Sequence, residues 1–92
     1  MNEKPLSEEY LTLVRKRCDA ATPGPWISYI EGRDHTSGDS VIVRGENGSE
    51  EDLYVIGATV ADQDFVAYAR TDIPLLLDEI ERLRKILESK ES

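Results

Sequence analysis

The residues of this chain best suited to chemistry are three arginines, two aromatic side chains and the single histidine. Arg33, Arg44 and Arg70 are the bases that pairing along a helix explains least. A guanidinium presents a rigid fork of donors that matches phosphate, so the three together would suit a phosphate-bearing ligand. Arg44 is placed to end a strand and Arg70 to end a helix, so both could point into a cleft, although the helix dipole also accounts for Arg70. Trp26 follows Pro23-Gly24-Pro25, a stiff turn that fixes its placement. It reads either as a core residue between helix and sheet or as a stacking platform for a base or nicotinamide-like ring, with Tyr29 as a second stacking candidate. His35 sits in the loop Gly32 to Asp39, beside Asp34, Thr36 and Ser37. That grouping contains the parts of a general base and a nucleophile. Turn chemistry explains the same residues, and no second catalytic cluster backs them, so the chain reads as a binder and not as an enzyme.

Metal and redox chemistry find little to use. One histidine and one cysteine, Cys18, make neither a zinc cluster nor a bridge. Cys18 falls on the apolar face of a helix, where an inert thiol is expected. Asp62 and Asp64 lack the glycine and terminal glutamate of a calcium loop, and helix capping accounts for them. No metal and no cofactor is expected.

These residues need elements to position them. Ser7 caps a first helix, Glu8 and Glu9 suit the positive end of its dipole, and Leu6 with Leu11 has the spacing of a hydrophobic staple. Tyr10, Leu11, Val14, Cys18 and Ala21 recur with helical period, and Thr22-Pro23-Gly24-Pro25 ends the helix. Three strands are expected next, at Trp26 to Ile30, Val41 to Val43, and Leu53 to Ile56 continuing towards Val60 past Gly57. In the first, Trp26, Ser28 and Ile30 share one face and Ile27 and Tyr29 the other. Polar turns at Glu31 to Asp39 and Gly45 to Asp52 separate the strands and favour an antiparallel meander. Asp62 is placed to cap a helix to Arg70, after which Thr71-Asp72-Ile73-Pro74 restarts a second one running to about Ser89. The predicted fold is α+β: an N-terminal helix, a three-stranded antiparallel meander, and a C-terminal helical hairpin or kinked long helix. Residues 1–92 form one domain, with 1–5 and 90–92 frayed.

The strongest pattern lies in the last helix. Ile73, Leu76, Ile80, Leu83 and Leu87 are spaced 3, 4, 3, 4, the seam of a coiled coil. Asp78 with Arg82 and Glu81 with Lys85 are acid-first pairs at helical spacing. Leu75, Leu77 and Ile86 give the helix a second apolar side, so one side can cover the sheet while the other meets a second copy. Self-association through this helix is the expectation, and 92 residues with no bridge or metal make such help useful.

Charge limits the partners. Nineteen acids against eleven bases leave −8, which argues against duplex nucleic acid and against an anionic membrane surface. With 39% hydrophobic and 33% charged residues, the composition is that of a globular domain. No apolar run reaches the length of a membrane span, and Met1 to Pro5 is polar, so a cytoplasmic location is expected.

Two stretches resemble a class of small phage and prophage proteins, some labelled Ead-like early proteins. The first is Cys18-Asp19-Ala20-Ala21-Thr22-Pro23-Gly24-Pro25-Trp26. The second is Asp62-x-x-Phe65-Val66-Ala67-x-Ala69-Arg70-x-Asp72-Ile73-Pro74-x-Leu76-Leu77-x-Glu79-Ile80-x-Arg82-Leu83-Arg84. The resemblance covers the end of the first helix, the first strand and the C-terminal half, and leaves the central strands unmatched. It implies an accessory role in a host bacterial cell but transfers no active site. Phage accessory proteins of this size include oligomeric sponges of the anti-Thoeris kind that sequester nucleotide-derived immune signals. By that analogy the ligand is a cyclic nucleotide or ADP-ribose-like molecule held by Trp26, Tyr29, Arg33, His35, Arg44 and Arg70. The alternative is an acidic, oligomeric protein-interaction module that binds a host protein.

Overall fold

A computed structural model of the chain describes residues 5–45 and 48–91. Among the described residues four elements follow in order: helix α1 (Glu8–Ala20), strands β1 (Trp26–Tyr29) and β2 (Val41–Arg44), and helix α2 (Val60–Glu91). The architecture is α+β, and no helix is long and apolar enough to cross a membrane among the described residues. The chain clusters into two compact units, residues 22–72 and residues 1–21 with 73–92.

In the first unit β1 and β2 pair antiparallel, Trp26 opposite Arg44 and Tyr29 opposite Val41. Alternation sends Trp26 and Ser28 inward and leaves Ile27 and Tyr29 exposed. Ile30, Ile42 and Ala67 form the buried core of this unit. The first part of α2 is tied to both strands by Gln63, which is only 4% exposed. Its side-chain amide donates to the Ser28 hydroxyl at 3.1 Å, the Tyr29 carbonyl at 3.3 Å and the Val41 carbonyl at 3.1 Å.

The expected three-stranded meander is reduced to a two-stranded hairpin. Leu53 adds a single bridge to Ile42, with reciprocal N–H to carbonyl bonds of 2.9 Å. Two competing demands stop the third strand. The Glu51 carbonyl is taken by the Arg44 guanidinium, and beyond Leu53 the chain turns at Gly57, whose φ of +85° suits glycine. Ile56, expected in that strand, is 96% exposed.

The start of α2 is also corrected. Asp62 is not the cap residue but the third residue of the first turn. The Thr59 hydroxyl accepts from Asp62 N at 3.0 Å, and the Asp62 carboxylate accepts from Thr59 N at 3.1 Å, a reciprocal capping box. The helix then runs 32 residues without a break, past Pro74, so no helical hairpin forms at 71–74. The leucines after Pro74 and the Ala67-x-Ala69-Arg70 segment before it are good helix formers that offset the hydrogen bond proline cannot donate.

The second unit is an antiparallel pair of α1 and the end of α2. Ser7 caps α1 as expected, its hydroxyl accepting from Tyr10 N at 3.0 Å. Arg15 reaches Asp78 at 2.8 Å, and Arg84 reaches both Glu8 and the Leu6 carbonyl at 2.7 Å, which fixes the opposed directions. These contacts replace one expected pair: Asp78 serves Arg15, and Arg82 turns back to Glu79 at 2.6 Å. The Glu81–Lys85 pair forms at 3.6 Å. Among the described residues of this unit Leu77 is the buried apolar one, and α1 contributes none. The expected fraying of 1–5 and 90–92 falls outside the described residues at 1–4 and 92, as does part of the expected turn Gly45 to Asp52, at 46 and 47.

Candidate functional site

Thr22 is where the structure gathers the chemistry. It lies at the start of the Thr22-Pro23-Gly24-Pro25 turn, between α1 and β1, and is half-buried. Its carbonyl accepts the Trp26 indole N–H at 3.0 Å and the Arg70 Nε–H at 2.8 Å. Its hydroxyl accepts from Arg44 Nη1 at 3.1 Å. Arg44 is delivered by the end of β2, directly across the ladder from Trp26, and its guanidinium lies over the indole ring, 5.8 Å from the centroid. The Glu51 carbonyl completes its anchoring, accepting from Nε at 3.2 Å and Nη2 at 3.0 Å. Arg70 arrives from α2 and packs its stem against Gly24, where a Cβ would sit 3.5 Å from Arg70 Cγ.

Neither Arg44 nor Arg70 has a carboxylate partner among the described residues, whereas Arg15, Arg33, Arg82 and Arg84 all do. Among the described residues, then, no carboxylate lies within ion-pair distance of either guanidinium. Only Nε of Arg70 is used, which leaves both of its terminal nitrogens facing no acceptor among the described residues. Two fixed guanidinium groups beside one indole can bind an anion with an aromatic or ring component.

Arg33 takes a different part. It is clamped between Asp34 and Asp64, with Nη1 to Asp64 at 2.8 Å and Nη2 to Asp34 at 2.8 Å. The hydrogen bonds that it donates to Asp64 and then Asp34 raise its pKa further, and both carboxyls are held below the usual carboxylate range, in each case chiefly by Arg33. Asp34 is held in turn by accepting from Ile30 N at 2.8 Å. This triad lines a hollow of about 390 Å³ whose other walls include Trp26, Ser28 and Tyr68. Trp26 thus borders two features, the arginine pair at Thr22 and an acid-lined hollow.

The remaining expected site residues are dispersed. Tyr29 is exposed on the opposite face of β1 from Trp26. His35 closes its own turn, Nδ1 lying 2.6 Å from the Ser37 carbonyl, which can only accept and so fixes the proton on Nδ1. Among the described residues no hydroxyl is hydrogen-bonded to His35. Thr22 and Tyr68 were not anticipated from the sequence. Tyr68 carried a signal in its helical spacing from Asp64, whereas nothing local marks Thr22. Among the described residues no group of three or more histidine, cysteine or acidic side chains could hold a metal.

Comparison with protein-family models, with characterised proteins and with solved structures finds no match to this chain.

Proposed function

We propose that this chain is a non-enzymatic accessory protein of the phage or prophage kind, which captures a small nucleotide-derived, phosphate-bearing signal and withholds it from host defence. The observation that carries the reading is the pair Arg44 and Arg70. Both are anchored on Thr22 beside Trp26, and both lack a carboxylate partner among the described residues of a chain with net charge −8. An acidic protein repels anions at long range, so recognition rests on short, preorganised contacts of this kind. The hollow of about 390 Å³ beside Trp26, with Tyr68 and the two carboxylates on its walls, supports the reading as the place for a ribose and its base. Arg33, already neutralised by Asp34 and Asp64, is left out of the phosphate contacts.

The test is binding of ADP-ribose and cyclic ADP-ribose, read by calorimetry and thermal shift. Arg44→Ala and Arg70→Ala should each weaken binding about tenfold to a hundredfold, and the ligand should be recovered chemically intact. Hydrolysed ligand would point to an enzyme instead.

A second reading rests on charge. Residues 22–72 carry ten acids against three arginines, which leaves −7 of the total −8. Such a surface suits a basic host protein. Under this reading no nucleotide shifts the melting curve, and salt weakens capture of a cationic partner.

A further inference from the structure

The helical pair formed by α1 and the end of α2 has two unlike flanks, and their contrast identifies an occupant. One groove has Glu8, Thr12 and Lys16 of α1 and Glu81, Lys85 and Glu88 of α2 around it, with Leu11, Leu77 and Ile80 also in its lining. It is polar at its rims and suited to solvent. Helical phase puts a different set on the opposite flank. From α1 it presents Tyr10 and Leu13, and from α2 the seam of Ile73, Leu76, Leu83 and Leu87. All six are exposed, Leu13 at 50%, Leu76 at 61% and Leu87 at 59%. A soluble monomer rarely shows so many large apolar side chains on one surface. Meanwhile the pair has little interior of its own, with Leu77 buried and no buried residue from α1. Two amphipathic helices lacking an enclosed core are half of a bundle.

We infer that the occupant of this flank is a second copy of the same helical pair, packed apolar flank to apolar flank as a four-helix bundle. Three observations select a copy of this chain over a foreign partner. Ile73, Leu76, Leu83 and Leu87 keep a and d positions of one heptad repeat, so knobs from a second copy can meet holes of the same repeat even though Ile80, between them, lines the other groove. Charge permits the match: residues 1–21 and 73–92 carry nine acids against eight bases, a net of −1, so two such units meet without repulsion. The strongly negative segment, which a basic protein would seek, is the other unit. The inference does not depend on the ligand reading, because it uses none of the residues around Thr22.

Sedimentation equilibrium of the full chain at micromolar concentration tests it. Twice the 10.4 kDa chain mass is expected, and a single 10.4 kDa species at all concentrations would overturn the inference. Leu83→Asp should return the mass to one chain. Because that change sits near the middle of the seam and could unfold the pair, Leu13→Glu and Leu87→Asp serve beside it. Both positions are at least half exposed, so each should yield a helical, single-chain species with Trp26 emission unchanged. Thr12→Glu, on the polar flank, should keep the doubled mass. Retention of the doubled mass in Leu13→Glu and Leu87→Asp together, or its loss in Thr12→Glu alone, would show that another surface carries the association.

Discussion

The Nε–H of Arg70 donates to the carbonyl of Thr22 at 2.8 Å, across 48 residues of chain. The bond joins α2 to the turn that holds Trp26, and the same carbonyl accepts the indole N–H. Arg70→Ala should cost roughly 1 kcal/mol, the net contribution of one partly exposed hydrogen bond. It should also shift Trp26 emission to the red as the turn loosens. Arg70→Lys should keep charge but not the bond, and so reproduce the red shift. Unchanged emission in both variants would show that Arg70 does not hold the turn.

Gln63 should be intolerant of substitution. Gln63→Leu removes the donor shared by Ser28, Tyr29 and Val41, at a cost of roughly 1–3 kcal/mol. Gln63→Glu should be worse near neutral pH, because a carboxylate would face two carbonyl oxygens. That extra deficit should shrink on acidification as the carboxyl regains a proton to donate. Thermal melts across pH decide the matter, and equal melting temperatures for wild type and Gln63→Glu at neutral pH would refute it.

The Arg33 clamp makes a pH-dependent contribution. Asp34 and Asp64 have lower pKa values in the folded chain than unfolded, chiefly through Arg33. Such groups stabilise fully above the unfolded value of about 3.9 and lose that stabilisation as pH falls through the folded value. Arg33→Met should therefore melt below wild type at about pH 5 and above, with the gap closing below about pH 4. A gap of constant size down to acid pH would contradict the clamp.

Pro74 lies inside α2, where proline forgoes one hydrogen bond and crowds the preceding turn. Pro74→Ala should stabilise the chain by up to about 3 kcal/mol. Each kcal/mol corresponds to roughly 4–8 °C for a domain of this size. A lower melting temperature in the alanine variant would mean that the ring makes a packing contribution larger than the helical cost.

The parts of this fold that were legible in the sequence are those fixed by neighbours. Ser7, the two glutamates after it and the Pro-Gly-Pro turn delimit α1, and alternation at Trp26–Tyr29 predicts which side chains share a face. What was not legible depends on partners far along the chain. Asp78 has the spacing to pair with Arg82, but Arg15 reaches it from another helix. Arg33 is indistinguishable from Arg44 in sequence until Asp64, 31 residues away, is placed against it. The third strand fails because a side chain, Arg44, claims the Glu51 carbonyl. Thr59-x-x-Asp62 is a capping box by its spacing alone, with Thr59 as the cap and Asp62 as its third-position partner.

A two-stranded hairpin has little of its own to stop it sliding, and a slip of one residue would exchange its inner and outer faces. Tyr29 and Val41 are the last matched pair of this ladder, and Gln63 bonds the carbonyls of both. The amide therefore favours this alignment: a slip of β2 by one residue would carry the Val41 carbonyl away from it and leave only the acceptors on β1. In this way one helical side chain selects the alignment that sets Arg44 across from Trp26, and the arginine pair at Thr22 inherits its geometry from a residue that touches none of its members.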